Sequence, residues 1–363
     1  MSGLTRLVSR TWKKNILFSV LLELTYRCNL HCHFCYNDLG QTGTPLENEQ
    51  YFRLLEDLSA MQVMNLILSG GEPLAHPGFF AIGSRGRELG FLVRIKSNGH
   101  ALRGRLALRL KDEVDPFVVD LSLHGSTAAT HDRQTRLEGS FERLMSNLDE
   151  LQELGLRLKL NCTLTRWNEH EIEQMLDLAE AREIPLSINP TVAPRDNGDQ
   201  EPLLIAPSRE ARVRLYRLLD ERAKRATPGP TVQVQRPADD AVPTLEVEKN
   251  CGAGSSHATI DPYGNVLPCV QWRRPVGNLH QASIQEIWGQ SRELEGVRGL
   301  SIEAKRMVDS HGPAGRLMDF CPGLAQVTTG SPIATYDSAT EQMETLLQVN
   351  AESRRKERLP IVS

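Results

Sequence analysis

Short β-prone runs alternate with longer amphipathic segments over the first half of the chain. The longer segments have apolar residues at helical spacing and a Gly or Asn near an end, which is typical of helices that pack on a sheet. This alternation favours βα units around a parallel sheet, because consecutive parallel strands need a crossover connection. Six units fit between residues 17 and 191, with strands predicted in SVLLELT, NLILS, LVRIKS, FVVDLSLH, RLKLNCTLT and PLSINPT.

The predicted strands carry polar residues near their C-terminal ends. In the fourth run, Leu121 and Leu123 lie on the opposite face from Asp120, Ser122 and His124, because alternate residues of a strand share a face. A complete barrel that is filled by its own side chains is apolar inside. We therefore expect a barrel whose lumen holds a ligand. The alternative is that the polar face simply meets solvent.

The second half of the chain has a different character. Residues 192–248 are rich in proline and contain one strong helical pattern, SREARVRLYRLLDERAKRA, so we interpret them as a bridge. HATIDPYGNVLPCVQW then gives two β-prone runs around Pro-Tyr-Gly-Asn, which is a good hairpin signal. The predicted domains are a partial barrel over 1–191, the bridge, a smaller module over 249–335, and a C-terminal helix or frayed tail over 336–363.

Charge and cysteine usage limit the class of protein. The 42 Lys and Arg residues against 46 Asp and Glu give a net charge of −4, so nothing favours nucleic acid or an anionic membrane as a partner. Seven cysteines, three of them clustered, are typical of metal binding in a reducing compartment, and we expect a cytoplasmic protein. The apolar run before Glu23 lacks a cleavage site and is too short to span a membrane, so it predicts a buried strand.

The stretch TYRCNLHCHFCYND places Cys28, Cys32 and Cys35 on one short loop. Zinc sites usually pair their ligands as C-x-x-C with a second pair elsewhere, whereas this run supplies three thiols and no obvious fourth. A zinc site that uses His31 or His33 is one alternative. The other is a four-iron, four-sulfur cluster, which needs a ligand on each iron; three thiolates then leave one iron open as a binding site.

This C-x-x-x-C-x-aromatic-C loop, with Phe34 as the aromatic residue, resembles that of the radical S-adenosylmethionine (SAM) superfamily. The resemblance implies an α/β fold with a partial, TIM-like (β/α)6 barrel. It also implies that the open iron chelates the amino and carboxylate groups of SAM, and that one electron breaks the carbon–sulfur bond to give a 5′-deoxyadenosyl radical. That radical abstracts a substrate hydrogen, so the protein must hold the substrate beside it and exclude water.

A second motif, LSGGEPLAHP, follows the second predicted strand and matches the family's Gly-Gly-Glu-Pro motif with Gly70, Gly71, Glu72 and Pro73. Glycines permit close backbone approach and unusual φ angles, and a carboxylate can pair with the SAM ammonium group. Other positions resemble SAM-contacting ones, and each could instead be an ordinary hydrogen-bonding residue at a strand end. They are Ser97, Asn98, Ser122, Asn161, Thr163 and, as a partner for the SAM carboxylate, Arg136.

A second group of cysteines begins at Cys251. Cys251 and Cys269 bracket a glycine in the spacing C-x12-G-x4-C, and Cys321 follows in FCPG. This pattern resembles the auxiliary iron–sulfur module called SPASM, or its reduced form, twitch, although it has fewer cysteines than the full module. The resemblance implies one auxiliary four-iron cluster on these three thiols, with a fourth ligand from substrate, water, His257 or Asp261. The alternative is a zinc site or inert buried thiols.

Two further residues have competing interpretations. Cys162 lies on the apolar face of its strand with Leu160 and Leu164, and we predict that it belongs to the core. His124 is on the lumen side, where it could transfer a proton, but a hydrogen-bonded structural role is preferred. The sequence assigns no catalytic acid or base.

The resemblance implies an enzyme that modifies a ribosomally made peptide by cross-linking it or oxidising a side chain. Relatives on this architecture also act on small precursors such as tetrapyrroles, and a fold alone does not identify a substrate. Few residues precede the first predicted strand, so we expect a separate leader-peptide-recognition protein, and also an electron donor such as flavodoxin or ferredoxin. The competing class is a zinc-stabilised binding protein without enzymatic activity.

Overall fold

The computed structural model describes residues 3–225 and 248–358, so most of the second half of the predicted bridge and the last residues of the predicted tail lie outside it. None of the helices in these ranges is long and apolar enough to cross a membrane. The strands are β1 (Ser19–Glu23), β2 (Asn65–Ser69), β3 (Leu92–Ser97), β4 (Val118–Ser122), β5 (Leu158–Thr163), β6 (Leu186–Asn189), β7 (His257–Ile260), β8 (Asn265–Leu267) and β9 (Gly277–Asn278). The α-helices are α1 (Gly3–Lys14), α2 (Asn48–Ala60), α3 (Phe79–Glu88), α4 (Arg105–Arg109), α5 (Ala128–Thr135), α6 (Ser140–Glu153), α7 (Ile172–Ala181), α8 (Arg209–Arg225), α9 (Ile284–Gln290), α10 (Arg292–Asp309), α11 (Pro322–Thr329) and α12 (Asp337–Arg358).

The first six strands are parallel and lie in chain order within a sheet that runs β6-β5-β4-β3-β2-β1-β7-β8-β9. One face of each barrel strand is apolar, and Val20 and Leu22 of β1 have no exposed surface. The helices supply the matching face, as α2 does with the buried residues Leu55 and Leu58. This arrangement confirms the predicted α/β class and the partial barrel of six βα units.

The second module does not form a sheet of its own. β7 pairs in parallel with β1, with Ser19 opposite His257, and the chain then turns back antiparallel into β8. Asp261 holds this turn, because its Oδ1 accepts the backbone N–H groups of Tyr263 and Asn265 at 2.9 Å each. The predicted hairpin is therefore present, and its first strand also extends the barrel sheet, which the sequence pattern did not predict.

One hydrophobic core runs through both modules. Trp272 and Ile287 of the second module belong to the same buried cluster as Leu22 and Leu68 of the barrel. Because burial of apolar surface is the main favourable contribution to folding, the two modules share their principal source of stability.

The C-terminal helix α12 packs against α8. Leu346 and Val349 of α12 are buried with Val213 and Tyr216 of α8 in a small apolar cluster. Over residues 337–358, the segment predicted as a helix or a frayed tail is thus a helix docked on the bridge helix. Ion pairs join the same two helices: Arg209 with Glu344, Arg212 with Glu341, and Arg217 with Glu352.

Candidate functional site

Three thiols line one cavity at the C-terminal ends of the barrel strands. Cys28, Cys32 and Cys35, called here the first thiol set, share this central cavity of about 390 Å³ with Phe34. The loop that carries them is fixed by its backbone, since the N–H group of His31 donates to the Thr135 carbonyl at 3.3 Å and that of His33 to Gln134 at 3.2 Å. The first barrel loop is therefore held against the end of α5.

The glycine loop, Gly70 to Pro73, packs directly on the loop of the first thiol set. The N–H group of Gly71 donates to the Thr25 carbonyl at 2.7 Å, and that of Glu72 donates to the Arg27 carbonyl at 2.9 Å. Gly70 has φ +138°, and a Cβ atom on Gly71 would lie 2.5 Å from the Arg27 carbonyl oxygen. A side chain at either glycine would push the two loops apart, which explains the residue type in physical terms.

Glu72 joins the glycine loop to the end of β3. Its side chain is buried, and it accepts hydrogen bonds from Ser97 Oγ and from the N–H group of Asn98, both at 2.9 Å. Burial raises the pKa of this carboxyl to about 7. Pro73 begins a short 3₁₀ helix next to it. In this geometry Glu72 faces the end of β3, so the predicted pairing with the SAM ammonium group would require it to turn.

The other predicted SAM-contacting positions on the strands come together. They lie at the C-terminal ends of β3, β4 and β5, and all of them line the central cavity: Ser97, Asn98, Ser122, Asn161 and Thr163. Asn98 also reaches the first thiol set, because its Nδ2 lies 3.8 Å from the Sγ atom of Cys28. The polar row predicted from strand alternation is thus a single surface that faces the thiols.

Arg136 lies outside this lining. It ends α5 in a left-handed conformation, and its guanidinium donates to Glu201 Oε1 at 3.0 Å and contacts His33. The predicted contact of Arg136 with the SAM carboxylate would need this ion pair to break.

Lys96, in the cavity floor, was missed by sequence reasoning, whereas Asp120 was expected on the polar face of β4. Asp120 is buried and pairs with Arg94 Nη2 at 2.9 Å, while Lys96 of the same strand as Arg94 lines the cavity. The signal that could have found Lys96 is the alternation in LVRIKS, which places Arg94 and Lys96 on the same face of β3.

His124 is a hydrogen-bond acceptor in the cavity wall. Its Nδ1 accepts the N–H group of Thr163 at 3.3 Å, and its ring packs 4.5 Å from that of Phe34. Burial, with the neighbouring His131, lowers the pKa of His124 to about 3, so the ring is neutral near pH 7. These contacts favour the structural role over proton transfer. Cys162, 2% exposed, lies in the core as expected.

The donor chemistry of the first thiol set fits an iron–sulfur cluster. Burial raises the pKa of Cys35 to about 11, and burial together with the other two thiols raises that of Cys32. A cationic centre would offset both effects and bind the thiolates. Within the described residues, no group of three or more Cys, His, Asp or Glu side chains is arranged to hold a single metal ion. A four-iron cluster instead takes each thiolate on a different iron.

The second thiol set, Cys251, Cys269 and Cys321, is assembled from three distant segments. Burial, together with another thiol of the set, raises the pKa of each thiol to about 11, so the three lie close together. A hydrogen bond from a side chain to the backbone shows the same proximity. Asn250 Nδ2 donates to the Phe320 carbonyl at 2.8 Å, which joins the residues that precede Cys251 and Cys321. This donor set also fits a cluster of the auxiliary type.

The two predicted fourth ligands differ in their surroundings. Asp261 uses both carboxylate oxygens to hold the β7–β8 turn, with Asn265 Nδ2 on Oδ2 at 2.8 Å, so its structural role accounts for it. His257 lies beside Gly252, the residue after Cys251, and burial lowers its pKa to about 4. Of the two, His257 is nearer the thiols along the chain.

A buried ionic network joins the loop after Cys269 to the barrel. Arg273 Nη1 pairs with Glu23 Oε2 at 2.7 Å and Nη2 with Asp196 Oδ2 at 2.8 Å, while Nη2 also donates to the Tyr26 hydroxyl at 2.9 Å. Glu23 is the last residue of β1, and Asp196 follows β6. The network therefore connects the first barrel strand, the chain beyond the last barrel strand and the second thiol set.

Comparison with known proteins agrees with this geometry. The family model described as "Radical SAM superfamily" matches residues 22–179. The SPASM model, described as "Iron-sulfur cluster-binding domain", matches residues 251–310. An AdoMet-dependent heme synthase from Methanosarcina barkeri is 24% identical, covering 76% of this chain and 83% of its own length. A PqqA peptide cyclase from Ruegeria pomeroyi is 28% identical, covering 87% of this chain and 85% of its own length. The crystal structure of SuiB from Streptococcus suis bound to SAM has a TM-score of 0.69 at 17% identity, covering 91% of this chain and 79% of SuiB.

The chain belongs to the radical SAM superfamily and carries a C-terminal SPASM domain. It is therefore an iron–sulfur enzyme whose cofactors are SAM, a four-iron cluster in the barrel and auxiliary iron–sulfur chemistry in the SPASM domain. The likeness to SuiB confirms the fold.

Proposed function

We propose that this enzyme modifies a ribosomally made peptide, either by joining two of its residues or by oxidising one side chain. Both reactions remove two hydrogen atoms from the peptide. The relative described as a PqqA peptide cyclase, which matches along most of its length, supports a peptide as the substrate class.

The shape of the interior carries the proposal. The central cavity shares Asn189, Thr191 and Gln271 with a second cavity of about 180 Å³, which contains Cys321. The second cavity shares Gln342 and four other residues with a third, of about 390 Å³, between α8, α11 and α12. The three cavities thus adjoin one another, since the third also shares Thr191 and Val192 with the central cavity, and Cys321 lines the second of them. An extended peptide suits such a path better than a broad planar ring does.

The lining of this path, called here the side passage, suits a peptide backbone. Hydroxyl and amide side chains line both the second and the third cavities, among them Thr191, Ser338 and Gln342. These groups both donate and accept hydrogen bonds, so they can pair with peptide N–H and C=O groups whatever the side chains are. The exposed Thr328 and Thr329 of α11 mark the outer end.

Different groups of residues would hold the cofactors and exclude water from them. When bound, the barrel cluster and SAM supply the one-electron cleavage that generates a radical. The first thiol set would hold that cluster, and the glycine loop would offer backbone groups to SAM. Leu30 and Phe34 add apolar surface that excludes water from the central cavity. The second thiol set would hold one auxiliary cluster beside the side passage, where the second electron of the oxidation can be taken up.

The alternative substrate is a small precursor such as a tetrapyrrole, which the similarity to an AdoMet-dependent heme synthase supports. The side passage favours the peptide. An external electron donor of the flavodoxin or ferredoxin type completes the proposal, and a separate leader-peptide-recognition protein stays a prediction from the sequence.

The test is to incubate the anaerobically reconstituted enzyme with SAM, dithionite and short peptides encoded beside its gene, and to follow peptide mass. Loss of the mass of two hydrogen atoms, with formation of 5′-deoxyadenosine, is the expected result. A matched pair of variants tests the path. Gln342→Trp fills the side passage and should lower conversion about tenfold or more, because substrate placement is lost. Gln348→Trp, on the exposed side of the same helix, should convert normally.

Conversion of a tetrapyrrole but of none of the peptides would contradict the proposal. Equal conversion by the Gln342→Trp and Gln348→Trp variants would show that substrate does not use the side passage.

A further inference from the structure

The segment that follows β6 has backbone groups without partners. β6 ends at Asn189, and the chain runs on through residues 190–194 with no turn or bend. Among the described residues, the N–H groups of Val192 and Ala193 donate to no acceptor, and the carbonyls of both accept no hydrogen bond. The N–H group of Thr191 is used, since it donates to Asn189 Oδ1 at 3.0 Å. Buried backbone groups are nearly always paired, and Val192 is only 7% exposed, so its N–H and C=O groups need a partner.

The sequence itself keeps this segment extended. It reads Asn-Pro-Thr-Val-Ala-Pro over residues 189–194. Proline fixes its own φ at about −65° and restricts the preceding residue to extended conformations, so Pro190 and Pro194 hold the two ends of the segment straight. The residues between them keep their N–H groups, which the prolines lack. The segment is therefore a short extended chain with free backbone groups.

These free groups continue the outer edge of the sheet. Within the described residues, β6 is an end strand, with β5 on one side and no strand on the other. The carbonyl of Asn189 faces β5, because it accepts the N–H group of Leu164 at 2.8 Å. Successive residues of an extended chain direct their backbone groups to opposite edges. Val192, three residues after Asn189, therefore presents its N–H and C=O groups to the outer edge.

The same segment forms a wall that the three cavities share. Thr191 lines all three cavities, and Ala193 lines the central and second ones. Pro190 and Pro194, which alternate with them, line the third cavity. The free backbone groups therefore lie along the side passage, whose cavities contain the first thiol set and Cys321.

We propose that residues 190–194 bind the peptide substrate as an added β-strand, with Val192 as the central pairing residue. The inference rests on the proposed function, which supplies the peptide, and it adds how the peptide backbone is held. The N–H group of Val192 donates to a peptide carbonyl, and its carbonyl accepts from a peptide N–H group. Such main-chain pairing gives affinity whatever the side chains are. Because the side chains of a strand alternate, every second peptide side chain faces the central cavity.

N-methylation of the peptide backbone tests the pairing. The probes are the short peptides encoded beside the gene, each labelled with a fluorophore, and copies that each carry one N-methylated amide. Dissociation constants are measured by fluorescence anisotropy on the anaerobically reconstituted enzyme with SAM but without dithionite, so that no turnover occurs. Alternate residues of a paired strand direct their N–H groups to the partner. N-methylation at every second position of the bound stretch should therefore raise the dissociation constant about threefold or more, the effect of losing one hydrogen bond, whereas the positions between should tolerate it.

A matched pair of variants tests the protein side of the pairing. Val192→Pro removes the free N–H group, and proline fits a segment that is already extended. Val192→Ala removes most of the side chain but keeps the N–H group. The proline variant should bind the unmethylated peptide about 3- to 10-fold more weakly than the alanine variant, because one hydrogen bond is lost. Both variants should have the same circular dichroism and iron content, since this N–H group makes no bond to the described part of the chain.

Equal affinity for all the N-methylated copies, equal affinity of the two variants, or no binding of any peptide would overturn the inference. Peptides that bind with the alternating pattern but are never converted would refute the proposed function and leave this inference standing. Conversion of a peptide whose binding shows no alternation would do the reverse.

Discussion

Replacing Arg273 with methionine would leave two buried carboxylates without their cation. The side chains of Glu23 and Asp196 are 0% and 8% exposed, and that of Arg273 is 11% exposed. Removing one partner of a buried pair costs about 3–5 kcal/mol, because the remaining charge stays buried and unpaired. Methionine keeps most of the apolar stem of Arg273, so we expect a loss of stability in this range that is almost wholly electrostatic.

The loss should depend on pH in a defined direction. Burial already raises the pKa of Glu23, and it raises that of Asp196 to about 6, although Arg273 opposes both effects. Without Arg273 both values rise further. A group whose pKa is higher in the folded than in the unfolded state stabilises the folded protein at pH values below its unfolded pKa. This stabilisation is lost as the pH rises through the folded pKa. The deficit of the variant should therefore be larger near about pH 8 than near about pH 5.

The assay is urea unfolding of the anaerobically reconstituted chain, followed by circular dichroism at both pH values. Arg274→Met is the matched control, because Arg274 is adjacent and exposed. Adding Glu23→Gln to Arg273→Met should recover part of the loss, since one unpaired charge is removed. A deficit below about 1 kcal/mol, or one equal to that of Arg274→Met, would show that the network contributes no more than a surface ion pair.

Three further predictions concern the cofactor sites and Glu72. Replacing the second thiol set with alanine should reduce bound iron from about eight to about four atoms per chain and abolish substrate conversion, while SAM cleavage persists. Replacing the first thiol set with alanine should abolish SAM cleavage itself. Iron assays and measurement of 5′-deoxyadenosine check both expectations. Gly71→Ala should lower the iron content, because its Cβ atom would meet the Arg27 carbonyl at 2.5 Å, whereas Gly289→Ala has open space around it and should not. The carboxyl of Glu72, with a pKa raised to about 7, stabilises below its unfolded pKa, so the free energy of unfolding should fall by about 3 kcal/mol between about pH 4.5 and 7. Glu72→Gln should remove that slope in urea titrations, and an unchanged slope would assign it to another group.

Local patterns were sufficient to predict the barrel. Each of the six parallel strands lies inside a run that was recognised by β propensity and alternation, and the polar ends of β4 and β5 do face a cavity. These features depend on residues close together in sequence, where periodicity is informative. The pairing of β7 with β1 is different, because no local pattern records which distant strand will lie at an edge.

Side-chain partners were the part that sequence reasoning could not reach. Arg136 was a reasonable carboxylate ligand by position, yet Glu201, from a segment beyond β6, pairs with it. Lys96 was overlooked, although the alternation in LVRIKS places it on the polar face of β3. Its position in the cavity depends on how the sheet curves, which involves all six strands at once.

The pairing of β7 with β1 also bears on how the chain is made. β1 carries the first thiol set into position, yet one of its edges is completed only by β7, which follows nearly all of the barrel in the sequence. During synthesis the ribosome releases the barrel long before that partner, so the nascent barrel presents an open hydrogen-bonding edge. A chain truncated before residue 257 should therefore associate edge to edge and aggregate, and stable insertion of the barrel cluster should await the emergence of the SPASM domain.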